Sequence, residues 1–119
     1  MKTNITESDL TQFSGSENWY RHGMNRNLIY TDGVQWLAEN AGAYWLVDEV
    51  AIYNMLNAKV RSQEFQVWTL KVKGNGATLR CEDGNGNKVI SKRIPFTDFP
   101  LPKVTLWCAG GVIMLPSEY

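Results

Sequence analysis

The hydrophobic period of the chain changes near Glu64, and this change divides it into a helical part and a strand part. In the first part, four apolar residues recur at the spacing of one helix face: Val34, Leu37, Ala38 and Ala41. Thr31 precedes this face as a good N-cap, and Gly42 follows it as a left-handed terminator. The pattern therefore predicts a helix between Thr31 and Gly42.

A second helix is predicted directly afterwards, in "AYWLVDEVAIYNML". Only Asp48, Glu49 and Asn54 interrupt its apolar surface, which is typical of a helix that is buried or covered by a partner. A short helical turn through Gln12, capped by Thr6 or Ser8, is predicted near the start of the chain. The polar residues 1–6 are expected to be disordered.

From Glu64 onward, apolar and polar residues alternate with a period of two, which predicts strands. The strand segments are "FQVWTLKVK", "ATLRCED", "KVISKRI", "KVTLWCA" and "VIMLP". Glycine-rich turns separate them at 74–76, 84–87 and 110–111. The predicted fold class is α+β: two or three helices in the N-terminal half, packed on a roughly five-stranded antiparallel meander sheet. One domain spanning residues 1–119 fits this length.

Composition narrows the function classes. Twelve Lys and Arg balance twelve Asp and Glu, which argues against a dedicated binder of duplex nucleic acid. No apolar run approaches the ~18 residues of a membrane span, and the N-terminus lacks the apolar core of a signal peptide. We therefore expect a cytoplasmic protein that does not contact a membrane.

Neither a metal site nor a cofactor is predicted. Cys81 and Cys108 lack zinc-ligand spacing, and two buried, reduced thiols are favoured over a disulfide. The run Asp83-Gly84-Asn85-Gly86-Asn87 resembles the start of a calcium loop, but Lys88 and Ile94 stand where that loop needs Gly and Glu. A hairpin turn explains the run better.

A basic sheet face is a second candidate for function. Five cations are predicted on or near the outer side of the long hairpin: Lys71, Lys73, Arg80, Lys88 and Lys92. A solvated outer face with lysines along its edge is the favoured interpretation. Binding of nucleic acid, with single-strand stacking on Trp107 or Tyr119, is the alternative.

The stretch "NWYRHGMNRNLIYTDG" is the strongest candidate for chemistry. Seven residues form the hypothetical ligand-binding site: Tyr20, Arg21, His22, Arg26, Thr31, Asp32 and Asp48. A helix N-terminus attracts anions, arginine binds them in bidentate fashion, and a histidine transfers protons near neutral pH. The favoured interpretation, however, is structural: Arg21 or Arg26 pairs with Asp32 or Glu39, and the stretch is a knot that fastens the segment before the first long helix to the domain. No residue is assigned a catalytic role.

Several segments resemble a family of small proteins of unknown function. These segments are "FSGSENWYRH", "YTDGVQWLAENAGAYWL", "EFQVWTLKV", "CEDGNGN" and "FTDFPL" with "LPSEY". The resemblance runs from about Gln12 to Tyr119 and points to bacteria, phages or other mobile elements. It implies a stand-alone cytoplasmic domain and brings no activity with it. A mobile-element setting raises the expectation of an inhibitor of a host system.

The sequence as a whole favours a non-enzymatic binding protein. The apolar helix, the surplus of Trp and Tyr and the ending "VIMLPSEY", expected at a sheet edge, point to a protein partner or a homodimer. A small pocket protein or enzyme for an anionic or nucleotide-like ligand, acting at Tyr20-Arg21-His22 and Thr31-Asp32, is the first alternative. A weak nucleic-acid binder is the second.

Overall fold

A computed structural model describes residues 5–15 and 17–119, which form four α-helices and seven strands. The helices are α1 (Glu7–Thr11), α2 (Asp32–Ala41), α3 (Tyr44–Leu56) and α4 (Ala58–Arg61). The strands are β1 (Trp19–Arg21), β2 (Ile29–Thr31), β3 (Phe65–Lys73), β4 (Gly76–Asp83), β5 (Lys88–Ile94), β6 (Lys103–Ala109) and β7 (Val112–Met114). A 3₁₀ turn, Pro116–Glu118, follows β7.

The α+β class is confirmed, but the sheet differs from the predicted one. Its seven strands lie in the order β1-β2-β7-β6-β3-β4-β5. All neighbours are antiparallel except β2 and β7, which run parallel, so the sheet is mixed. The two additional strands, β1 and β2, have three residues each and form an antiparallel hairpin. They lie in the runs "WYRH" and "LIY", whose aromatic and β-branched residues fit either a hairpin or an irregular loop.

One face of the sheet carries the helices and the core. Strand residues that point to this face are almost fully buried, among them Trp68, Leu70, Leu79, Leu106 and Ile113. They pack with the inner sides of α2 and α3, where Val34, Leu37, Leu46 and Val50 are buried. The last strand, β7, lies inside the sheet between β2 and β6, and not at the edge where the sequence interpretation expected it.

The three polar side chains of α3 each contact a different part of the molecule. Asp48 binds His22 in the β1–β2 loop, and Glu49 binds Lys92 of β5. Asn54 exchanges two hydrogen bonds with Gln66 of β3. The polar interruptions of this apolar helix therefore serve as attachment points, which fits the rule that polar groups among apolar surroundings need partners.

The predicted ends of the helices are observed. Thr31 caps α2 by accepting a hydrogen bond from the backbone N–H of Val34, and Gly42 ends it with φ of 61°. Thr6 is the N-cap of α1, as predicted, and its backbone N–H donates to Asp9. Residues 1–4 of the segment expected to be disordered lie outside the described residues, whereas Ile5 is buried in the core.

The Asp83 run is a hairpin turn between β4 and β5. Asp83 Oδ1 accepts hydrogen bonds from the backbone N–H groups of Asn85 and Asn87, at 2.8 and 2.9 Å. Hydrogen bonds from Asn87 are the main cause that lowers the pKa of the Asp83 carboxyl. In the described part of the chain, no cluster of His, Cys, Asp or Glu could hold a metal ion.

Both cysteines are buried and free. Cys81 lies on β4 and Cys108 on β6, and β3 runs between these two strands. Two strand spacings and an offset of two residues along β3 place the cysteines roughly 12 Å apart, which is too far for a disulfide. The structure thus agrees with the interpretation as reduced core thiols.

Candidate functional site

The carboxylate of Asp32 joins the start of α2 to the segment before β1. Asp32 Oδ1 accepts a hydrogen bond from the Tyr20 hydroxyl at 3.0 Å. Asp32 Oδ2 accepts from the backbone N–H groups of Glu17 and Asn18, at 3.2 and 3.1 Å. Desolvation alone would raise the pKa of Asp32, but these hydrogen bonds to its charged form lower it. The hydrogen bond from the Tyr20 hydroxyl to Asp32 is the main cause that raises the pKa of Tyr20.

Glu118 occupies the anion site at the N-terminus of α2. Its Oε1 accepts from the Thr31 hydroxyl at 2.6 Å and from the backbone N–H of Leu115 at 2.9 Å. Its Oε2 accepts from the backbone N–H of Gly33 at 3.0 Å. The sequence analysis predicted an anion-binding helix start here, and the structure fills it with a carboxylate of the chain itself.

Gly33 makes this approach of Glu118 possible. A Cβ at this position would lie 2.6 Å from Glu118 Oε1 and 2.7 Å from Leu115 Cδ1. Those distances are far shorter than van der Waals contact, so the carboxylate reaches the helix only because residue 33 has no side chain. Glu118 was missed by the sequence analysis because nothing in the local pattern links it to Thr31, 87 positions away.

His22 fastens the β1–β2 loop to α3. Its side chain is only 5% exposed, and its Nε2 lies 2.7 Å from Asp48 Oδ1. Its Nδ1 accepts hydrogen bonds from the backbone N–H groups of Met24 and Asn25, at 3.1 and 3.0 Å. Because Nδ1 acts as an acceptor, the ring hydrogen lies on Nε2 and is donated to Asp48. Asn25 adds a bond from Nδ2 to the carbonyl of Ala51.

Arg21 and Arg26 do not form the predicted ion pairs. Arg21 donates through Nη1 to the carbonyl of Arg26, and both residues are exposed. Among residues 5–15 and 17–119, neither arginine forms an ion pair with Asp32 or Glu39. The seven residues of the hypothetical site thus form local hydrogen-bonded groups, and binding of a ligand there stays a prediction.

A polar cleft of about 640 Å³ opens beside the ends of α3 and β3. Asn54 and Gln66 lie on its wall and bond to each other at 2.9 and 2.7 Å. Gln66 Oε1 also accepts from the indole N–H of Trp68, which fixes the amide. The side-chain amides of Asn54 and Gln66 therefore have partners within the protein, and they connect α3 to β3.

The face of the sheet opposite the helices is open and basic. Paired residues on neighbouring strands point to the same face, so the register defines rows across it. One row contains Lys103, Lys71, Thr78 and Arg93, on β6, β3, β4 and β5. The next row contains Thr105, Thr69, Arg80 and Ser91. A groove of about 500 Å³ lies over the central part of these two rows, and Lys73 and Glu82 from the adjoining rows also line it.

Lys71 and Lys103 are directly opposite each other and both are exposed. In the part of the chain that the structure describes, no carboxylate forms an ion pair with either of them, or with Lys73, Lys88 or Arg93. Arg80 is the cation of this face that has such a partner, Glu82, at 2.8 Å. The open face thus has a clear surplus of positive charge in a protein without net charge.

The composition of the basic face differs from the predicted one at Lys92. This lysine points to the helix side and donates to Glu49 at 3.0 and 2.8 Å. Lys92 is opposite Leu79, on the same side as Ile90 and Ile94, whereas a bulge between Cys81 and Glu82 adds residue 89 to β5 and places Lys88 opposite Glu82 on the open face. Lys88 and Lys92 therefore lie on opposite faces. Arg93 and Lys103, which the sequence analysis did not assign to the face, belong to it.

An aromatic cluster adjoins the basic rows on the same open face. It consists of Phe65, Trp107 and Tyr119, whose ring centroids lie 5.2, 5.3 and 5.8 Å apart at steep interplanar angles. Trp107 is opposite Val67 on β3, in the row next to Thr105 and Thr69. Tyr119 is 77% exposed. The cluster therefore places aromatic surface in solvent beside the cations.

Taken together, these features define an α+β domain with helices on one face of a mixed sheet and a basic, partly aromatic surface on the other. The chain belongs to the family of unknown function DUF6876, which matches residues 4–119. A search of curated proteins finds no match. A search of solved structures also finds none. None of the helices within the described residues is long and apolar enough to cross a membrane.

Proposed function

We propose that this protein is a non-enzymatic binding protein that uses the open face of its sheet to hold a polyanionic ligand. The observation that carries the proposal is the row that contains Lys103, Lys71 and Arg93, of which the first two are directly opposite each other. The cytoplasmic location and the bacterial, phage or mobile-element setting implied by the sequence are part of this proposal. Inhibition of a host system is one role that such binding could serve.

Two like charges in directly opposed positions of an antiparallel pair destabilise a sheet. A carboxylate across the strands would relieve the repulsion, but Lys71 and Lys103 have none among the described residues. A bound anion would relieve it as well. Hydroxyl groups of Thr69, Thr78 and Thr105 lie on the same face and offer neutral donors between the cations.

The hypothetical ligand-binding site around His22 and Asp32 has a structural role. The carboxylate of Asp32, the imidazole of His22 and the N-terminus of α2 each have partners within the chain. An anion that entered this region would have to displace Glu118 from Gly33 and Thr31. The open face requires no such displacement, because its cations already face solvent.

The proposal is tested by the salt concentration at which the protein elutes from immobilised heparin. Lys103→Glu removes a cation from the open face, and Lys59→Glu makes the same charge change on α4, at an exposed position away from that face. We expect wild type and Lys59→Glu to be retained alike and Lys103→Glu to elute earlier. Equal retention of all three proteins would contradict the proposal.

Self-association, the other form of binding expected from the sequence, is tested on the same samples by light scattering coupled to size exclusion. We expect the retained protein to remain monomeric until the polyanion is added. A dimer that forms without ligand and that Lys103→Glu abolishes would show instead that the open face binds a second copy.

A further inference from the structure

We infer that the polyanion is a single-stranded nucleic acid, with phosphates along the basic rows and bases stacked on the aromatic cluster. This inference rests on the proposed function and adds the ligand class. It uses an observation that the charges alone do not explain, which is that Trp107 and Tyr119 are on the same face as Lys71 and Lys103.

The aromatic cluster and the row of Lys71 and Lys103 are close enough for one short single-stranded oligonucleotide to contact both. On β3, Val67 is opposite Trp107 and Lys71 is opposite Lys103, so these two residues give the positions of the two rows along the strand. Four residues of strand separate them, which corresponds to roughly 14 Å. Between them lies the row with Thr105 and Thr69, whose hydroxyl groups suit phosphate or sugar oxygens. Arg80 in the same row is paired with Glu82, which is opposite Val67, so a phosphate would bind Arg80 only in competition with that carboxylate.

The aromatic cluster distinguishes single-stranded from double-stranded ligands. A duplex presents phosphates on its outside and keeps its bases stacked within, so exposed aromatic rings gain nothing from it. A single strand offers a base next to each phosphate, and stacking on an aromatic ring contributes to binding without sequence preference. Tyr119, 77% exposed beside Trp107 and Phe65, supplies such a ring already held by its neighbours.

The combination of cations and an exposed aromatic ring also favours nucleic acid over an acidic protein segment as the ligand. An acidic segment would neutralise the cations but would leave the exposed ring of Tyr119 without a planar partner. Because the chain has no net charge, attraction of a polyanion depends on the local surplus of cations on the open face. Single-stranded DNA or RNA satisfies both halves of the surface.

The test is fluorescence anisotropy with labelled oligonucleotides of about 12 nucleotides, within the ~4–16 nucleotides that a single OB-fold covers. The probes are deoxythymidine and uridine single strands and a duplex of mixed sequence. We expect both single strands to bind at least roughly tenfold tighter than the duplex and to quench tryptophan fluorescence. Contact with about four phosphates gives a slope near −3 for the logarithm of affinity against that of salt, and Lys103→Glu lowers its magnitude.

Tyr119→Ala is the decisive variant, and Phe96→Ala is its matched control. Phe96 is an equally exposed aromatic residue, at 74%, in the connection after β5. We expect Tyr119→Ala to weaken single-strand binding roughly tenfold while heparin retention stays unchanged. Phe96→Ala should alter neither. Trp107→Phe should bind better than Trp107→Ala, because the phenyl ring still stacks.

The outcomes separate the inference from the proposed function. Equal affinity for single strand and duplex, with Tyr119→Ala without effect, would overturn the inference while retention on heparin preserves the proposed function. Competition by polyglutamate at the same charge concentration as the oligonucleotide would also overturn it, in favour of an acidic protein partner. If Lys103→Glu and Lys59→Glu were both retained on heparin as strongly as wild type, the inference and the proposed function would both be overturned.

Discussion

Gly33→Ala should destabilise the protein, although the same substitution in an ordinary helix is stabilising. At an open helix position, replacing glycine by alanine gains about 0.5–1 kcal/mol. At Gly33 the new Cβ would lie 2.6 Å from Glu118 Oε1 and 2.7 Å from Leu115 Cδ1. The carboxylate of Glu118 must therefore move away from the start of α2.

The expected loss follows from the hydrogen bonds of that carboxylate. Moving it weakens the bonds from the Gly33 N–H at 3.0 Å and from the Thr31 hydroxyl at 2.6 Å. Hydrogen bonds to charged groups contribute about 1.5–3 kcal/mol each. Since displacement is partial and the alanine adds helix propensity, we expect a net loss of about 2 kcal/mol. That corresponds to a decrease in Tm of about 8 °C in a domain of this size.

A double-mutant cycle in urea isolates the cause. Glu118→Ala removes the carboxylate that the new Cβ would meet but leaves Leu115 in place, so Gly33→Ala should have a smaller effect in that background, with a coupling of about 1 kcal/mol or more. Gly23→Ala serves as the control, because nothing lies within 4 Å of its Cβ position. Additive effects of the two substitutions, or a stabilising Gly33→Ala, would refute the reasoning.

Three further predictions concern the sheet, the core and the front of the domain. Lys103→Glu should stabilise the fold by about 0.5 kcal/mol in low salt, because attraction to Lys71 replaces repulsion; urea unfolding should show the gain, and 1 M salt should remove it. Burial raises the pKa of Cys81 and Cys108 to about 12, so a thiol reagent at pH 8 should react with neither until the protein is unfolded. Asp32→Asn should destabilise the protein at neutral pH, with a difference that shrinks as the pH falls through the lowered folded-state pKa of Asp32; an equal difference at pH 7 and in strong acid would contradict this.

The parts of the fold that local periodicity controls could be predicted from the sequence. The helix from Asp32 to Ala41 has its N-cap, apolar face and terminating glycine within one short segment. The long strands β3, β4 and β6 alternate over seven to nine residues, which is enough for a clear pattern. The parallel contact of β2 with β7 could not be predicted in this way, because it joins segments more than 80 positions apart.

The candidate sites show the same division. Tyr20 contacts Asp32 and His22 contacts Asp48, so four residues of the hypothetical ligand-binding site lie in two close pairs. The role of Glu118 depends on the path of the whole chain and has no local signal. On the basic face, Lys92 points inward with Ile90 and Ile94, and a single added residue in β5 places Lys88 outside. The adjacent apolar pair Val89-Ile90 breaks the alternation there, but a period-two pattern does not show on which side the residues beyond such a bulge continue.

The parallel neighbours β2 and β7 also affect how the protein folds during synthesis. The N-terminal hairpin of β1 and β2 has β7 as its partner in the sheet, and α2 receives its carboxylate from Glu118. A nascent chain that has emerged only as far as β5 can form α3 and the antiparallel strands β3, β4 and β5. It still lacks β7 as the partner of β2 and Glu118 as the partner of α2. Contacts of such long sequence separation form slowly and late. A variant that lacks residues 112–119 would therefore leave β2 without its partner β7. We expect proteases to cleave its β1–β2 hairpin faster than that of the intact protein.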